Sequence, residues 1–240
     1  MTTTAAVLPA HNEASHVRDV IERIAATGLV DHTIVVDDCS TDETADRVEA
    51  TDAILVSNER NRDYGGAIKR GYERAIDLGV DVLFRLDADG QHDPAELRRF
   101  YRMLRQPDCQ YVLGNRFADP TFRDAMPVDR QFGNRVVALA TSLRLGQRVH
   151  DPPCGYRAMD ADALARTPYR SFSNDFQIGV EEILAFDALG AGIEEVPVSC
   201  IYANEESSLT YYDGVRFLYP NVAWWDRKAA GTALERVVRR

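Results

Sequence analysis

Lysine is nearly absent from this 240-residue chain. Of its 28 basic residues only Lys69 and Lys228 are not arginine, and 38 acids bring the formal net charge to −10. That balance disfavours a general nucleic-acid binder, which needs a basic face to displace counterions from phosphates, so no nucleic-acid partner is expected. Many acids with little Lys suit a high-salt cytoplasm, where ions screen self-repulsion. Cysteine is sparse as well. Cys39, Cys109, Cys154 and Cys200 are scattered and form no C-x-x-C pair, which argues against structural zinc and a disulfide framework and fits a reducing cytosol. No apolar run approaches a membrane span. The opening MTTTAAVLPAHNEA has neither a basic n-region nor a long apolar stretch, so it does not read as a secretory leader. Two phosphate-binding signatures are also missing. No G-x-G-x-x-G follows the first apolar stretch and no G-x-x-x-x-G-K-[ST] occurs anywhere, which removes the main support for dinucleotide and P-loop readings.

What is present is alternation. With 45% apolar residues the chain can bury a sizeable core. AAVLP reads as a buried strand, and the helical spacing of Val17, Val20, Ile21 and Ile24 predicts a helix behind it. HTIVVDD is a second strand ending in two acids, and STDETADRVEA a helix with its cap at Ser40 or Thr41. AILVS, VDVLFRLDA and QYVLGNR are further strands. Between them lie the helices GGAIKRGYERAIDLG, closed by Gly79, and DPAELRRFYRMLRQ, with Pro94 at its start. Such an order predicts an α/β fold, a mostly parallel sheet flanked by helices, which binds ligands beyond the carboxyl ends of its strands. After residue 116 the pattern loosens into a loop, the helix QFGNRVVALATSLRLG, the turn, short strand and short helix of DPPCGYRAMDADAL, the helix DFQIGVEEILAFDALG and the strand GIEEVPVSCIY. A single domain is expected: residues 1–116 as a regular half, 117–209 as an irregular half, and 210–240 as an aromatic and basic tail.

Asp37 and Asp38 close one strand, while Asp87 and Asp89 close another. If those strands are neighbours, the acids share a rim, and like charges raise one another's pKa unless a cation or donors intervene. A divalent ion bridging phosphates resolves that conflict, and hard oxygen ligands favour Mg²⁺ or Mn²⁺. A lone D-x-D also fits a solvated acidic turn.

Order and context sharpen the choice. LPAHNEA, IVVDDCSTDET, NRDYGGAIKRGYERA and RLDADGQHDP, followed by GNR, DPPCGYR, EEVPVS and EESSL, resemble family 2 glycosyltransferases of the GT-A fold. Within them the chain is most similar to the dolichol-phosphate mannose synthase-like branch, which loads a sugar from a nucleotide donor onto a polyprenyl phosphate. The resemblance implies donor contacts at Pro9, Asn12, Glu13, Asp37, Asp38, Gly66, Asp87, Ala88 and Gln91, with metal ligands at Asp87 and Asp89. It implies acceptor-side positions at Asn134, Asp151, Gly155, Arg157 and Ser207, and catalytic positions at Asp89, Glu181, Arg116 and Arg130. Simpler readings stand beside these. Gly65, Gly66 and Gly71 also serve close chain packing, Arg130 could pair with Asp129, and Glu181 is an acid in a helix's first turn.

The implied partners are a UDP- or GDP-linked sugar, Mg²⁺ or Mn²⁺, and a polyprenyl phosphate. Where the branch has a Lys and an Arg near the acceptor phosphate, this chain has Ser208 and Tyr202. A hydroxyl acceptor on a soluble glycan or protein therefore stays open, with Asp89, Glu181 and Asp175 as candidate bases, as does a non-catalytic nucleotide-sugar binder. The tail sets Tyr211, Tyr212, Phe217, Tyr219, Trp224 and Trp225 beside Arg227 and Lys228, a composition that suits either a membrane surface, a membrane-protein partner or packing on the core. A cytoplasmic chain, peripheral on the membrane's cytoplasmic face, is the expected location.

Overall fold

The structure, a computed structural model, describes residues 2–120, 128–199 and 219–220. Its first half runs β1 (Thr4–Ala10), α1 (Val17–Ala26), β2 (His32–Asp37), α2 (Thr44–Glu49), β3 (Ile54–Ser57), α3 (Asp63–Asp77), β4 (Val82–Arg85), α4 (Leu97–Leu104) and β5 (Cys109–Asn115). The second runs α5 (Val128–Leu145), β6 (Arg157–Asp160), α6 (Ala161–Arg166), α7 (Ile178–Ala188) and β7 (Gly192–Pro197).

The seven strands form one sheet in the order β3-β2-β1-β4-β6-β5-β7. It is parallel except for β6, which is antiparallel to both β4 and β5. The apolar run of β1 is explained by burial on both faces: Ala5 and Val7 point into one core, Ala6, Leu8 and Ala10 into the other. The first core is closed by α3 and α7, through residues such as Tyr72 and Phe186, and the second by α1 and α4, through Val20 and Phe100. Gly71 lets α3 lie against β1, since a Cβ there would sit 2.2 Å from Val7 Cγ1.

Two expectations need correction. The strands carrying Asp37 and Asp87 are not neighbours; β2 and β4 flank β1. Because all three are parallel, their carboxyl ends still open on one rim. The second correction concerns α2, which starts at Thr44, later than a cap at Ser40 or Thr41 implies. Ser40 and Thr41 are engaged elsewhere: Asn12 N donates to Ser40 Oγ at 2.9 Å, and Thr41 N to Asn12 Oδ1 at 2.8 Å. Glu43 stands at the helix's N-cap without a side-chain cap bond, and Asp42 just before it accepts from Thr44 N at 3.0 Å.

Candidate active site

The rim is assembled from the loops that leave β1, β2 and β4. Pro9 lies in β1, and Asn12 turns the chain with φ of +59°. The Asn12 contacts, with Glu13 N donating to Thr44 Oγ1 at 2.8 Å, lace the first loop to the second. Asp37 and Asp38 are buried at the end of β2. Their charge is met by donors of the protein itself: Ser40 N reaches Asp37 Oδ1 at 3.2 Å, while Asn58 Nδ2 and Arg62 N reach Asp38 Oδ1 at 2.8 and 2.9 Å. Asp38 thus joins the loop after β3 to the rim.

Beyond β4, Asp87 and Asp89 are half-buried and Ala88 between them is buried. Gln91 N donates to Asp89 Oδ1 at 2.9 Å. Tyr64, in the first turn of α3, donates its hydroxyl to Asp87 Oδ1 at 2.7 Å. His92 Nε2 lies 3.5 Å from Asp87 Oδ2, and its Nδ1 is buried with no partner. Burial pushes the Asp87 carboxyl up, but the His92 hydrogen bond and charge, the Tyr64 hydroxyl and the Arg85 charge outweigh it and hold the group below the usual carboxylate range. Tyr64 is pushed well above the usual phenol value by burial and by Asp87, so it stays a donor.

The turn after α5 closes the site from the other side. Asp151 is fully buried and takes a two-pronged grip from Arg116, with Nε to Oδ2 at 2.7 Å and Nη2 to Oδ1 at 2.9 Å. Such paired charge-assisted bonds fix the guanidinium plane. Gly155 is pressed against the D-x-D loop, where an added Cβ would stand 2.5 Å from Asp87 Oδ2 and 3.0 Å from the Tyr64 hydroxyl. Only glycine lets the turn approach that carboxylate so closely.

Beneath this surface lies a charge cluster that the sequence did not announce. Glu182 Oε1 accepts from Arg85 Nη1 at 2.5 Å and Tyr72 Oη at 2.7 Å; Oε2 accepts from Tyr111 Oη at 3.0 Å and Arg157 Nη1 at 3.1 Å. Arg157 also bonds the carbonyls of Pro152, Cys154 and Gly179, and Arg85 Nε that of Gly155 at 3.1 Å. Arg157 is therefore not a contact surface for an acceptor: it is fully buried, and supports the 151–155 turn from below.

Glu181, one residue before the buried Glu182, accepts from Ser173 N at 2.6 Å and so holds the loop before α7. Asp175 receives Gln177 N at 2.8 Å and Ser173 Oγ at 3.0 Å at the start of that helix. Gly66 sits in the first turn of α3, where a Cβ would press on the Arg62 side chain at 2.6 Å. A cavity of about 340 Å³ opens beside it, with Arg60, Arg62, Lys69, Arg70 and Arg170 in its wall. Asn134 lies half-buried on α5. Arg130 falls in the first turn of α5, and its side chain, Ser207, Ser208 and the aromatic tail apart from Tyr219 lie outside the described residues. Sequence reasoning missed Tyr64, His92, Arg85 and Glu182. Arg85 carried a signal, a charge inside the otherwise apolar VLFRL, which demands a buried partner.

Among the described residues no group of three or more His, Cys, Asp and Glu side chains is gathered to hold a metal alone. The paired carboxylates of Asp87 and Asp89 fit an ion that completes its shell with phosphate oxygens and water, the habit of Mg²⁺. No helix among the described residues is long and apolar enough to cross a membrane.

Comparison with known proteins bears on this geometry. The family described as glycosyl transferase family 2 matches residues 5–167. A UDP-N-acetylglucosamine--dolichyl-phosphate N-acetylglucosaminyltransferase of Methanococcus voltae is 27% identical, over 82% of this chain and 84% of that protein. An undecaprenyl-phosphate mannosyltransferase of Micrococcus luteus is 28% identical, over 81% and 82%. Among solved structures, glucosyl-3-phosphoglycerate synthase from Mycobacterium tuberculosis in complex with UDP superposes with a TM-score of 0.73 at 23% identity, covering 92% of this chain and 79% of that one. The same enzyme with Mn²⁺, UDP and glucosyl-3-phosphoglycerate gives 0.66 at 24%, over 85% and 73%. At those identities the likeness speaks for the fold.

Proposed function

Because this chain belongs to glycosyl transferase family 2, we propose that it moves a sugar from a nucleoside diphosphate donor to a polyprenyl phosphate, inverting the anomeric centre in one displacement. The observation that carries the reading is the meeting of Asp87, Tyr64 and Gly155 beside the Arg116–Asp151 pair. Donor-side and acceptor-side elements there touch one another. The names of the relatives support the acceptor class, since two of them act on dolichyl or undecaprenyl phosphate. On this reading residues 1–116 hold the donor and residues 117–209 the acceptor.

Pro9, Asn12, Glu13, Asp37 and Asp38 would line the nucleoside, with Asp38 braced by Asn58 and the Arg62 amide. Asp87 and Asp89 would hold Mg²⁺ or Mn²⁺, which when bound offsets the negative charge developing on the departing diphosphate. Tyr64 and His92 keep the Asp87 carboxylate ionised and aimed. Arg116, oriented in advance by Asp151, supplies a fixed positive charge for phosphate oxygens. The donor could be UDP- or GDP-linked. The chain would work at the cytoplasmic face of a membrane.

A phosphate acceptor is ionised near neutral pH and needs no general base. A hydroxyl acceptor needs one, and Ser208 and Tyr202, standing where the branch has cations, favour that second reading. Glu181→Gln separates the two. With a phosphate acceptor, transfer should stay within about tenfold of wild type. A loss of several orders of magnitude with donor affinity intact would give the reaction to a hydroxyl acceptor and Glu181 as its base.

A further inference from the structure

The outer face of α5 is unlike the rest of the described surface. Phe132, Leu139 and Leu143 are 70%, 61% and 76% exposed. Their spacings of seven and four residues stack them along one side of the helix. The opposite side is spent on the fold: Val137 is buried against Val180 and Leu184 of α7. Exposed apolar side chains that are singly scattered mean little, but a continuous stripe marks a surface that something covers.

The charge around the stripe says what. From Arg130 to His150 the sequence has four arginines and neither Asp nor Glu, in a chain of net charge −10. Arg135, within the stripe's turns, and Arg148, just past the helix, are both exposed. An apolar stripe whose margin carries several arginines against one acid of α5, Asp129, matches a lipid surface with anionic headgroups. A second copy of this acidic chain is the competing occupant, and sedimentation tests for it.

The helix is also tied to the site. Ser142 Oγ accepts from Val149 N at 2.9 Å and donates to Ala138 O at 2.7 Å, fastening the end of α5 to the segment that enters the Asp151 turn. On its inner side α5 packs on α7, which carries Glu181 and Glu182. We infer that α5 lies in the interface of an anionic membrane, with Phe132, Leu139 and Leu143 among the acyl chains and Arg135 and Arg148 at the headgroups. The inference rests on the polyprenyl-phosphate reading for its purpose: an acceptor phosphate at headgroup level is then presented to the acceptor-side turn. It places the membrane contact on α5, whereas composition alone pointed to the tail.

The test is flotation of the full chain with vesicles of phosphatidylglycerol or of phosphatidylcholine, at low and high salt. Wild type should float with phosphatidylglycerol. Phe132→Ser/Leu139→Ser/Leu143→Ser, changed only at exposed positions, should lose at least about tenfold in binding with its melting temperature unmoved. Arg135→Gln/Arg148→Gln should lose the preference for phosphatidylglycerol, and Trp224→Ser/Trp225→Ser should float as wild type does. The inference is overturned if the triple variant floats like wild type, or if wild type floats with no vesicle. It is also overturned if wild type instead forms a dimer, seen in sedimentation, that the triple variant dissolves. Transfer to a short, water-soluble polyprenyl phosphate keeps the two claims apart. Wild type that does not float but transfers to the short chain removes only the α5 surface; wild type that floats through α5 but accepts no polyprenyl phosphate removes only the acceptor reading.

Discussion

Glu182 Oε1 stands 2.5 Å from Arg85 Nη1 in a place where neither side chain reaches water. Arg157 shares the other oxygen at 3.1 Å. One acid therefore fastens three separate stretches: the strand that leads to Asp87, the strand that leaves the Gly155 turn, and the helix that carries Glu181. Removing its charge leaves two buried guanidiniums without a counter-ion. Glu182→Gln should cost about 3–5 kcal/mol of stability in equilibrium urea unfolding. A loss under about 1 kcal/mol would mean that the cluster is hydrated or held by other groups.

Gly155→Ala should separate site geometry from folding. The new methyl meets the end of the Asp87 side chain, which can rotate away, so the melting temperature should move by only a few degrees. The displaced carboxylate should weaken Mn²⁺-dependent UDP binding by at least about tenfold, measured calorimetrically. Unchanged affinity would show that the close approach of the turn is packing alone.

The first half of the fold was legible because its strands are short apolar runs bounded by turns, and because α1 repeats Val17, Val20, Ile21 and Ile24 on one buried face. The carboxylate pairs were legible from their place at strand ends. Strand order was not, since nothing local in RAMD says that it inserts antiparallel between β4 and β5. The cluster under the site was hidden for a related reason. Arg85, Arg157 and Glu182 are 97 residues apart at the widest pairing, and a charge is read as surface until its partner is known. Arg157 therefore reads in the sequence only as an acceptor-side position, and its burial under the 151–155 turn is visible in the structure alone. The exposed stripe of α5 was equally hidden, because the exposure of Phe132, Leu139 and Leu143 depends on which neighbours the fold brings to that helix.

The depressed Asp87 group sets a pH dependence. Its folded value lies below the ordinary one, with burial opposing the shift and His92, Tyr64 and Arg85 driving it. The carboxylate therefore stays charged above the ordinary Asp range, near pH 3.9, and protonates only on further acidification. Metal-dependent binding of a nucleoside diphosphate sugar, whose phosphates do not titrate there, should be flat from neutral pH to about 5. A midpoint near 6 would contradict the assignment and point to an imidazole in control.

The most direct measurement is transfer itself. Purified full-length protein with Mg²⁺ or Mn²⁺ is offered labelled UDP- and GDP-sugars against polyprenyl phosphate and against soluble glycan and peptide hydroxyls. Label should pass to an organic-extractable polyprenyl phosphate product with one of the donors, should require the metal, and should collapse in Asp89→Ala while the fold survives. Label appearing only on a soluble acceptor, or undiminished metal-dependent transfer in Asp89→Ala, would contradict the account.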